Sequence, residues 1–465
     1  MTVTLQNLYE DPENFARLSS DELFALDYDE VAKIQLHHFQ KRFEKLRPQL
    51  KALDRLADDV DIESITSFDD LASLGFPHTM YKSYATGDVD NGRYDRMTRW
   101  LQGLTTHDLS AVNLEGVDTL DGWLDAIEAQ TPLRPAASSG TSGKISLFPR
   151  STVEVPFFLE FCLRLYGPHQ DMVASGNYPF ISAWPTRYGR NNMPIMLSLL
   201  QKHVYGGRED MIITLGDDFA GVGELWLAGK LRRAEALGEK LELTPRELAL
   251  GREIAAKAKD STKRWDDFIE RAVIAQKGKT VIYNGFWVQL YQIALECAKR
   301  GVKVEWAQDS VLVAGGGTKG YTFPDDWMDT IQSVFPFKYP SQFHEVYAMT
   351  ETTAASLGCD EGHLHPLPWG IQHVSDPETG LALPRKGVQR GRLLVMDLLP
   401  STYWSGTATG DDVTINWDGG CGCGRKGPYF LNSIKRLADT RGGDDKITCA
   451  KTPQAFDRLE EFLTA

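Results

Sequence analysis

The chain has 465 residues, with 50 Lys and Arg against 64 Asp and Glu, so its net charge is −14 and its pI is near 5.3. This acidic balance argues against a nucleic-acid-binding protein, which usually carries basic patches, and against a protein held on anionic lipid by basic charge. Apolar residues make up 42% and charged residues 25%, as in ordinary globular proteins. The length suits one large multi-lobed enzyme or two to three domains.

The compartment is inferred from cysteine usage and from the apolar segments. Six cysteines are too few for a secreted disulfide scaffold. The first residues, MTVTLQNLYEDPENF, show no basic region followed by an apolar run, and no segment approaches the roughly 20 apolar residues of a membrane-spanning helix. We therefore expect a cytoplasmic protein without a membrane span and without a nucleic-acid partner.

The order of elements predicts an α/β fold. Residues 1–130 show apolar residues at three- and four-residue spacing, which predicts helices, with Ser19 or Ser20 as an early cap. From residue 131 onward, short runs such as TVIYNGF, VLVAGGG and GRLLVMDL alternate with helical stretches. We predict a helical N-terminal region (1–130), an α/β core (131–435), and a hinge with a short C-terminal tail (436–465).

The strongest local motif is a hydroxyl- and glycine-rich loop that ends in a lysine. Glycines let the backbone turn tightly, hydroxyls and amides can surround a phosphate, and the lysine adds a cation. The loop is not a Walker A motif, which requires Gly at its first position and Ser or Thr after the lysine. By itself such a loop is more often a linker. Its residues are Ser138, Ser139, Gly140, Thr141, Ser142, Gly143 and Lys144.

Two further segments stand downstream. The first, YAMTE, contains Tyr347, Thr350 and Glu351, and alone it is typical of a strand end followed by a helix cap. The second, SGTATGDDVTI, contains Asp411, and alone its Gly-Asp pair is typical of a turn.

Taken in this order, the three segments resemble the adenylate-forming superfamily of acyl-CoA ligases, adenylation domains and luciferase-like enzymes, over about residues 130–450. The resemblance implies that residues 138–144 and Tyr347 bind ATP, that Thr350 contacts the adenylate phosphate, that Glu351 ligates Mg²⁺ and that Asp411 binds the ribose hydroxyls. In that chemistry a carboxylate attacks the α-phosphate of ATP and expels pyrophosphate. Because both reactants are anionic, the site needs Mg²⁺ and hydrogen-bond donors.

Finer features resemble the acyl-protein synthetases of bacterial fatty-acid reductase complexes. Gly315 and Gly316 open a GGGTKG segment like the GGGxK segment of those enzymes, although a tight turn after a strand explains the glycines equally well. In those enzymes a cysteine on a short C-terminal tail accepts the acyl group as a thioester, and Cys449 matches that place. Lys446 and Lys451 flank Cys449 and favour its thiolate. The alternative is a cysteine without a role.

A second resemblance concerns cysteine and histidine residues with metal-ligand chemistry. Cys421 and Cys423 lie in CGCGR, and Cys359, His363 and His365 lie in CDEGHLH. Three cysteines and one histidine form a common structural zinc set, and phenylacetate-CoA ligase-like enzymes show a similar Cys…His…CxCGR arrangement. Their Leu-His pairing favours His365, although spacing alone leaves His363 open. The alternative is reduced thiols among turn glycines.

The sequence departs from the superfamily near its C-terminus. Arg441 resembles the hinge arginine of the superfamily, and Arg436 is a competing candidate. The mobile C-terminal domain with its catalytic lysine is absent from the pattern, because only a short tail follows. That leaves Lys319, Lys446 and Lys451 as candidates for the lysine of adenylation.

These motifs predict an enzyme that activates a fatty or aryl carboxylic acid with ATP and Mg²⁺, through an AMP adduct, and passes the acyl group to a thiol. The first choice of acceptor is Cys449, followed by an acyl-CoA reductase-like or carrier protein. The alternatives are CoA ligation resembling phenylacetate-CoA ligase, amide or other nitrogen chemistry, and a degenerate nucleotide-binding scaffold.

Overall fold

The computed structural model describes residues 3–138, 144–216, 219–238, 240–241, 243–316, 321–337, 343–431 and 434–437. They fall into two compact units. Described residues of the first unit lie within Met1–Ala137, Ser146–Pro168 and Tyr347–Arg441, and those of the second lie within Ser138–Ile145 and His169–Val346.

The α-helices of the described residues range from five to 19 residues. They are α1 (Leu5–Glu10), α2 (Ser20–Ala25), α3 (Tyr28–Leu46), α4 (Lys51–Asp59), α5 (Phe68–Ser73), α6 (Thr86–Asp90), α7 (Tyr94–Gln102), α8 (Leu120–Gln130), α9 (Val155–Arg164), α10 (Gln170–Ala174), α11 (Asn192–His203), α12 (Val222–Leu237), α13 (Pro245–Lys259), α14 (Ser261–Ile269), α15 (Trp287–Lys299) and α16 (Trp327–Val334).

The strands of the described residues range from two to ten residues. They are β1 (Phe76–Pro77), β2 (Ala136–Ala137), β3 (Leu147–Phe148), β4 (Phe180–Ser182), β5 (Tyr188–Gly189), β6 (Ile212–Thr214), β7 (Phe219–Ala220), β8 (Ile282–Phe286), β9 (Val311–Gly315), β10 (Phe343–Tyr347), β11 (Ser356–Gly358), β12 (Leu364–Pro366), β13 (Gly370–Ser375), β14 (Val388–Asp397), β15 (Thr407–Asn416), β16 (Tyr429–Phe430) and β17 (Lys435–Arg436).

The N-terminal helices begin where the sequence supplies caps. Ser19 caps α2 in a capping box, because its hydroxyl accepts from the amide of Glu22 while the Glu22 carboxylate accepts from the Ser19 amide. Asp27 caps α3 by accepting from two amides of the first turn. The helical character predicted for residues 1–130 is confirmed, with β1 as a short extended segment within it.

The first unit is built on an antiparallel sheet. Its strands run in the order β13-β14-β15-β16-β12-β11, and β15 also pairs with β1 in parallel and with β17 antiparallel. Apolar side chains of β13, β14 and β15, among them Val374, Leu393 and Val413, form a buried core on this sheet. The sheet therefore brings the far C-terminal β17 beside the middle of β15.

The second unit is built on a parallel sheet with the order β10-β9-β8-β4-β6. Its strand β9, VLVAG, is a continuous and fully buried apolar run, as expected for a parallel strand that is covered on both faces. Its core includes Tyr283 on β8, Leu312 on β9, and Trp287 at the start of α15.

The predicted α/β class is confirmed, and the apolar runs predicted as strands coincide with β8, β9 and β14. The predicted domain divisions at residues 130 and 435 stay predictions. No helix among the described residues is both long and apolar enough to cross a membrane.

Candidate active site and candidate metal centre

Asp411 is the best-defined polar group of the site. It lies within β15, so the interpretation of its segment as a simple turn is wrong. The hydroxyl of Tyr347 donates to Asp411 Oδ2 at 2.6 Å, and Arg436 Nη1 lies 3.2 Å from Oδ1. The antiparallel register that pairs Asp411 with Arg436 explains the ion pair. Residues predicted from three separate stretches of sequence are thus in direct contact.

The surroundings of Tyr347 keep its phenol protonated. Burial, and then the negative charge of Asp411, raise the pKa of Tyr347 well above its usual range, so the phenol stays a donor. The Asp411 side chain is only 9% exposed. Each carboxylate oxygen receives one of these donors, and a carboxylate has about four lone-pair sites. Asp411 therefore retains acceptor capacity for two further hydroxyls.

Thr350 to Thr353, here called the 350–353 segment, follow β10. No helix begins within residues 351–358, so the alternative role of Thr350 as a helix cap is wrong. Arg150 Nη2 donates to the carbonyl oxygen of Thr350 at 2.8 Å. The side chain of Glu351 is partly exposed, and its charge adds to the raised pKa of Tyr347.

The other end of the 350–353 segment is held by Asp397, the last residue of β14. Asp397 is fully buried, and its Oδ2 accepts from the Thr352 hydroxyl at 2.9 Å and from the amide and hydroxyl of Thr353, each at 2.6 Å. Its Oδ1 accepts from the Leu399 amide at 3.0 Å.

Sequence reasoning missed both Asp397 and Arg150. A lone acid inside the apolar run GRLLVMDLL is the signal that points to Asp397, because a buried carboxylate needs several donors. Arg150, in the short segment LFPRS, carries no comparable signal.

In the second unit Gly315 is the last residue of β9 and Gly316 follows it, while the rest of the predicted glycine turn lies outside the described residues. A Cβ added at Gly315 would lie 2.2 Å from the carbonyl oxygen of Val346 on the neighbouring β10. Gly316 has a φ of +78°, in the region that favours glycine. The register aligns Gly315 with Phe286 on β8 and Val346 on β10, at the carboxyl ends of parallel strands. In α/β sheets that edge is where ligands bind.

The remaining predicted ATP-site and tail residues lie in the second unit or outside the described residues. Ser138 and Lys144 are described and lie in the second unit. The predicted residues that lie outside the described residues are Ser139, Gly140, Thr141, Ser142, Gly143, Lys319, Arg441, Lys446, Cys449 and Lys451. Of the two candidate hinge arginines, Arg436 is described and contacts Asp411, whereas Arg441 lies outside the described residues.

A cluster of thiols and imidazole lies in the first unit. The ligand atoms of Cys359, His365, Cys421 and Cys423 all lie within 4.8 Å of one another. Cys359 Sγ is 3.9 Å from Cys421 Sγ, and Cys423 Sγ is 3.3 Å from His365 Nε2. Tetrahedral zinc, with Zn–S near 2.3 Å and Zn–N near 2.0 Å, separates its ligand atoms by roughly 3.5 to 3.8 Å. The four residues fit that ion in chemistry and in spacing.

Strand pairing and one arginine bring the four residues of this cluster together. The hairpin of β11 and β12 presents Cys359 and His365, and Arg425 ties the Cys-Gly-Cys-Gly-Arg turn to it. Arg425 Nη1 donates to the carbonyls of Leu357 at 3.0 Å and Gly358 at 2.9 Å. This contact accounts for the arginine of the motif.

His363 is the competing imidazole. Its Nδ1 lies 3.2 Å from Cys421 Sγ, and its ring packs 4.6 Å from that of Tyr429. The group of four mutually close ligand atoms contains His365 and not His363. The geometry therefore favours the histidine that the Leu-His resemblance favours.

Comparison with known proteins yields structural likenesses only. No family model matches the sequence, and no curated protein matches it. An open conformation of 2-hydroxyisobutyryl-CoA ligase, in complex with 2-HIB-AMP and CoA, is similar over 89% of this chain and 77% of its own, with 12% identity and a TM-score of 0.47. MatB from Rhodopseudomonas palustris with bound ATP is similar over 75% of this chain and 58% of its own, with 15% identity and a TM-score of 0.36.

A third similar structure is the amide bond synthetase McbA from Marinactinospora thermotolerans. It is similar over 66% of this chain and 49% of its own, with 15% identity and a TM-score of 0.32. All three scores lie below 0.5, so the functional argument rests on the residues of this chain.

Proposed function

We propose that this protein is an adenylate-forming enzyme, which uses ATP and Mg²⁺ to convert a carboxylic acid into an acyl-adenylate with release of pyrophosphate. The observation that carries the proposal is the contact between Tyr347 and Asp411, which are 64 residues apart. Asp411, Thr350 and Glu351 belong to the same compact unit. They are the residues of the YAMTE and TGD motifs to which the resemblance gives chemical roles.

The roles of the residues follow from their chemistry. Asp411, fixed by Tyr347 and Arg436, has the acceptor capacity for the two neighbouring hydroxyls of a ribose. Thr350 offers a hydroxyl donor to a phosphate oxygen, and Glu351 offers an oxygen ligand of the kind that Mg²⁺ prefers. When bound, Mg²⁺ offsets the negative charge that builds on the phosphates. On the strength of the sequence resemblance alone, residues 138–144 and Lys319 are also proposed to bind the phosphates of ATP.

The acyl acceptor is proposed to be a thiol. Cys449, followed by a reductase-like or carrier protein, is the first candidate, on the strength of the sequence resemblance. The assembled cysteine–histidine cluster favours the second candidate, CoA ligation, because phenylacetate-CoA ligase-like enzymes are those that the Cys…His…CxCGR pattern resembles. Amide formation from the adenylate is the third candidate.

The cluster of Cys359, His365, Cys421 and Cys423 is proposed as a structural zinc site. Four protein ligands would fill a tetrahedral ion completely, which is typical of structural rather than catalytic zinc. Zinc there would cross-link the β11–β12 hairpin to the turn before β16.

The proposal is tested by carboxylate-dependent exchange of labelled pyrophosphate into ATP, over a panel of fatty, aryl and amino acids. The intact mass of the protein is read at the end of each reaction. Exchange with an acyl adduct on the protein is expected if Cys449 is the acceptor, and exchange without an adduct is expected if CoA or an amine is. Absence of exchange with every acid would contradict the proposed function.

A further inference from the structure

Buried charged side chains hold the 350–353 segment at both of its ends. Asp397 accepts hydrogen bonds from the two threonines at its carboxyl end, and Arg150 donates to the carbonyl of Thr350 at its amino end. Glu351 is the residue between these attachments. The backbone on either side of the proposed Mg²⁺ ligand is thus fixed by two residues that lie outside the motif.

Arg150 is itself buried and packs on an aromatic ring. It is 7% exposed, and its guanidinium lies 4.7 Å from the centre of the Phe158 ring on α9. Its Nη1 is buried and has no hydrogen-bond partner among the described residues. A buried N–H group without a partner costs stability. Folded proteins accept such local costs mainly where a site requires a particular geometry.

We propose that Arg150 is a positioning residue for Thr350 and Glu351, an inference that rests on the proposed function. By fixing the Thr350 carbonyl, Arg150 sets the direction in which the next side chain, Glu351, leaves the backbone before ATP and Mg²⁺ bind. Catalytic groups that are placed in advance do not have to be ordered when substrate arrives. Lysine cannot replace this arginine, because an ammonium lacks the planar fork that stacks on Phe158 and reaches the carbonyl together.

The test compares Arg150→Lys with a matched control, Arg164→Lys, in the full chain. Arg164 is 6% exposed, lies at the end of α9, and donates to the carbonyls of Ala16 at 2.6 Å and Leu18 at 2.7 Å. Both variants therefore disturb a buried guanidinium that binds backbone carbonyls. Melting temperatures and near-UV circular dichroism establish that both are folded.

The first readout is hydrogen exchange of the 350–353 segment in protein without nucleotide, which does not depend on activity. Arg150→Lys is expected to speed exchange there about 10-fold, the scale of one lost hydrogen bond to a charged group. Arg164→Lys is expected to leave that exchange unchanged. The second readout is the Mg²⁺ concentration that gives half-maximal pyrophosphate exchange, which is expected to rise about 5-fold or more in Arg150→Lys alone.

The outcomes separate the two proposals. If the wild-type protein is active while Arg150→Lys changes neither readout, or if Arg164→Lys changes both equally, Arg150 is not a positioning residue and the proposed function stands. If the wild-type protein shows no pyrophosphate exchange with any acid, the proposed function fails and the inference fails with it.

Discussion

The two units place their candidate site residues by different physical means. In the first unit, side chains from distant strands hold one another, as when Tyr347 and Arg436 both contact Asp411. In the second unit, Gly315 and Gly316 are required by backbone geometry, because Gly315 has no room for a side chain and Gly316 has a positive φ. The first arrangement is sensitive to loss of a polar partner, and the second is sensitive to added atoms.

The largest effect on activity is expected for Glu351→Gln, which removes the proposed Mg²⁺ ligand of the first unit. Loss of a charged Mg²⁺ ligand should slow pyrophosphate exchange by about 100-fold or more, the size seen when one electrostatic group of an active site is removed. Glu44→Gln, on the exposed face of α3, is the control and should keep the wild-type rate. Near-normal exchange in Glu351→Gln would refute its assignment.

Metal removal compares the clustered thiols of the first unit with an isolated thiol of the second. Metal analysis of purified protein should find about one zinc per chain, and stripping it should lower the melting temperature, because metal-binding free energy adds to folding free energy. Cys421→Ser should likewise reduce the zinc content and lower the melting temperature. Cys297, buried in the core of the second unit, is the matched control, since Cys297→Ser should leave the zinc content unchanged. A full-length protein without zinc would leave the cluster as reduced thiols.

Asp397→Asn should destabilise the protein by about 3 kcal/mol, because the amide cannot accept from all the donors now directed at the buried carboxylate. The contrasting change in the second unit is Tyr283→Phe. The Tyr283 hydroxyl is buried with no hydrogen-bond partner among the described residues, so its removal should be neutral or slightly stabilising. Urea denaturation measures both, and equal losses would abolish the contrast.

Gly315→Ala should destabilise the second unit by about 2 kcal/mol, because the new methyl group would overlap the Val346 carbonyl on a neighbouring strand. Gly316→Ala adds only backbone strain at positive φ and should cost about 1 kcal/mol. A larger loss for Gly316→Ala in thermal denaturation would show that the close strand contact is not the stricter constraint.

A further effect, expected to be smaller than that of Gly315→Ala, concerns Glu154, near Arg150 in the first unit. Burial raises the pKa of Glu154 to about 7, against the opposing charge of Arg150 and the hydrogen bond from Thr402. The folded chain therefore binds more protons than the unfolded chain between about pH 4.5 and 7, so stability falls as pH rises through that window.

Glu154→Gln removes this dependence. Because the side chain is partly exposed, the variant should gain only about 1 to 2 kcal/mol over wild type at pH 8, and almost nothing near pH 4.5. Melting curves across pH measure the difference. A gain that is constant with pH would mean that Glu154 does not titrate in this range.

Much of the fold and part of the candidate site were predictable from sequence. The apolar runs around Tyr283, Leu312 and Leu393 predicted strands because burial on a sheet requires that pattern over five or more residues. The ordered motifs pointed to Tyr347, Thr350, Glu351 and Asp411. The sequence also indicated the four zinc-ligand candidates Cys359, His365, Cys421 and Cys423. Arg150 and Asp397 were missed, since the segment that each of them contacts is far away in sequence.

Sequence alone determined the local elements, the chemistry available at each motif, and the cysteine and histidine residues suited to a metal. These depend on side-chain type and on short spacing, which a linear pattern preserves. Tertiary structure alone decided that Arg436 pairs with Asp411 and that Arg150 and Asp397 hold the 350–353 segment. Such choices depend on strand order and register, because pairing of distant strands sets which side chains come within hydrogen-bond distance of one another.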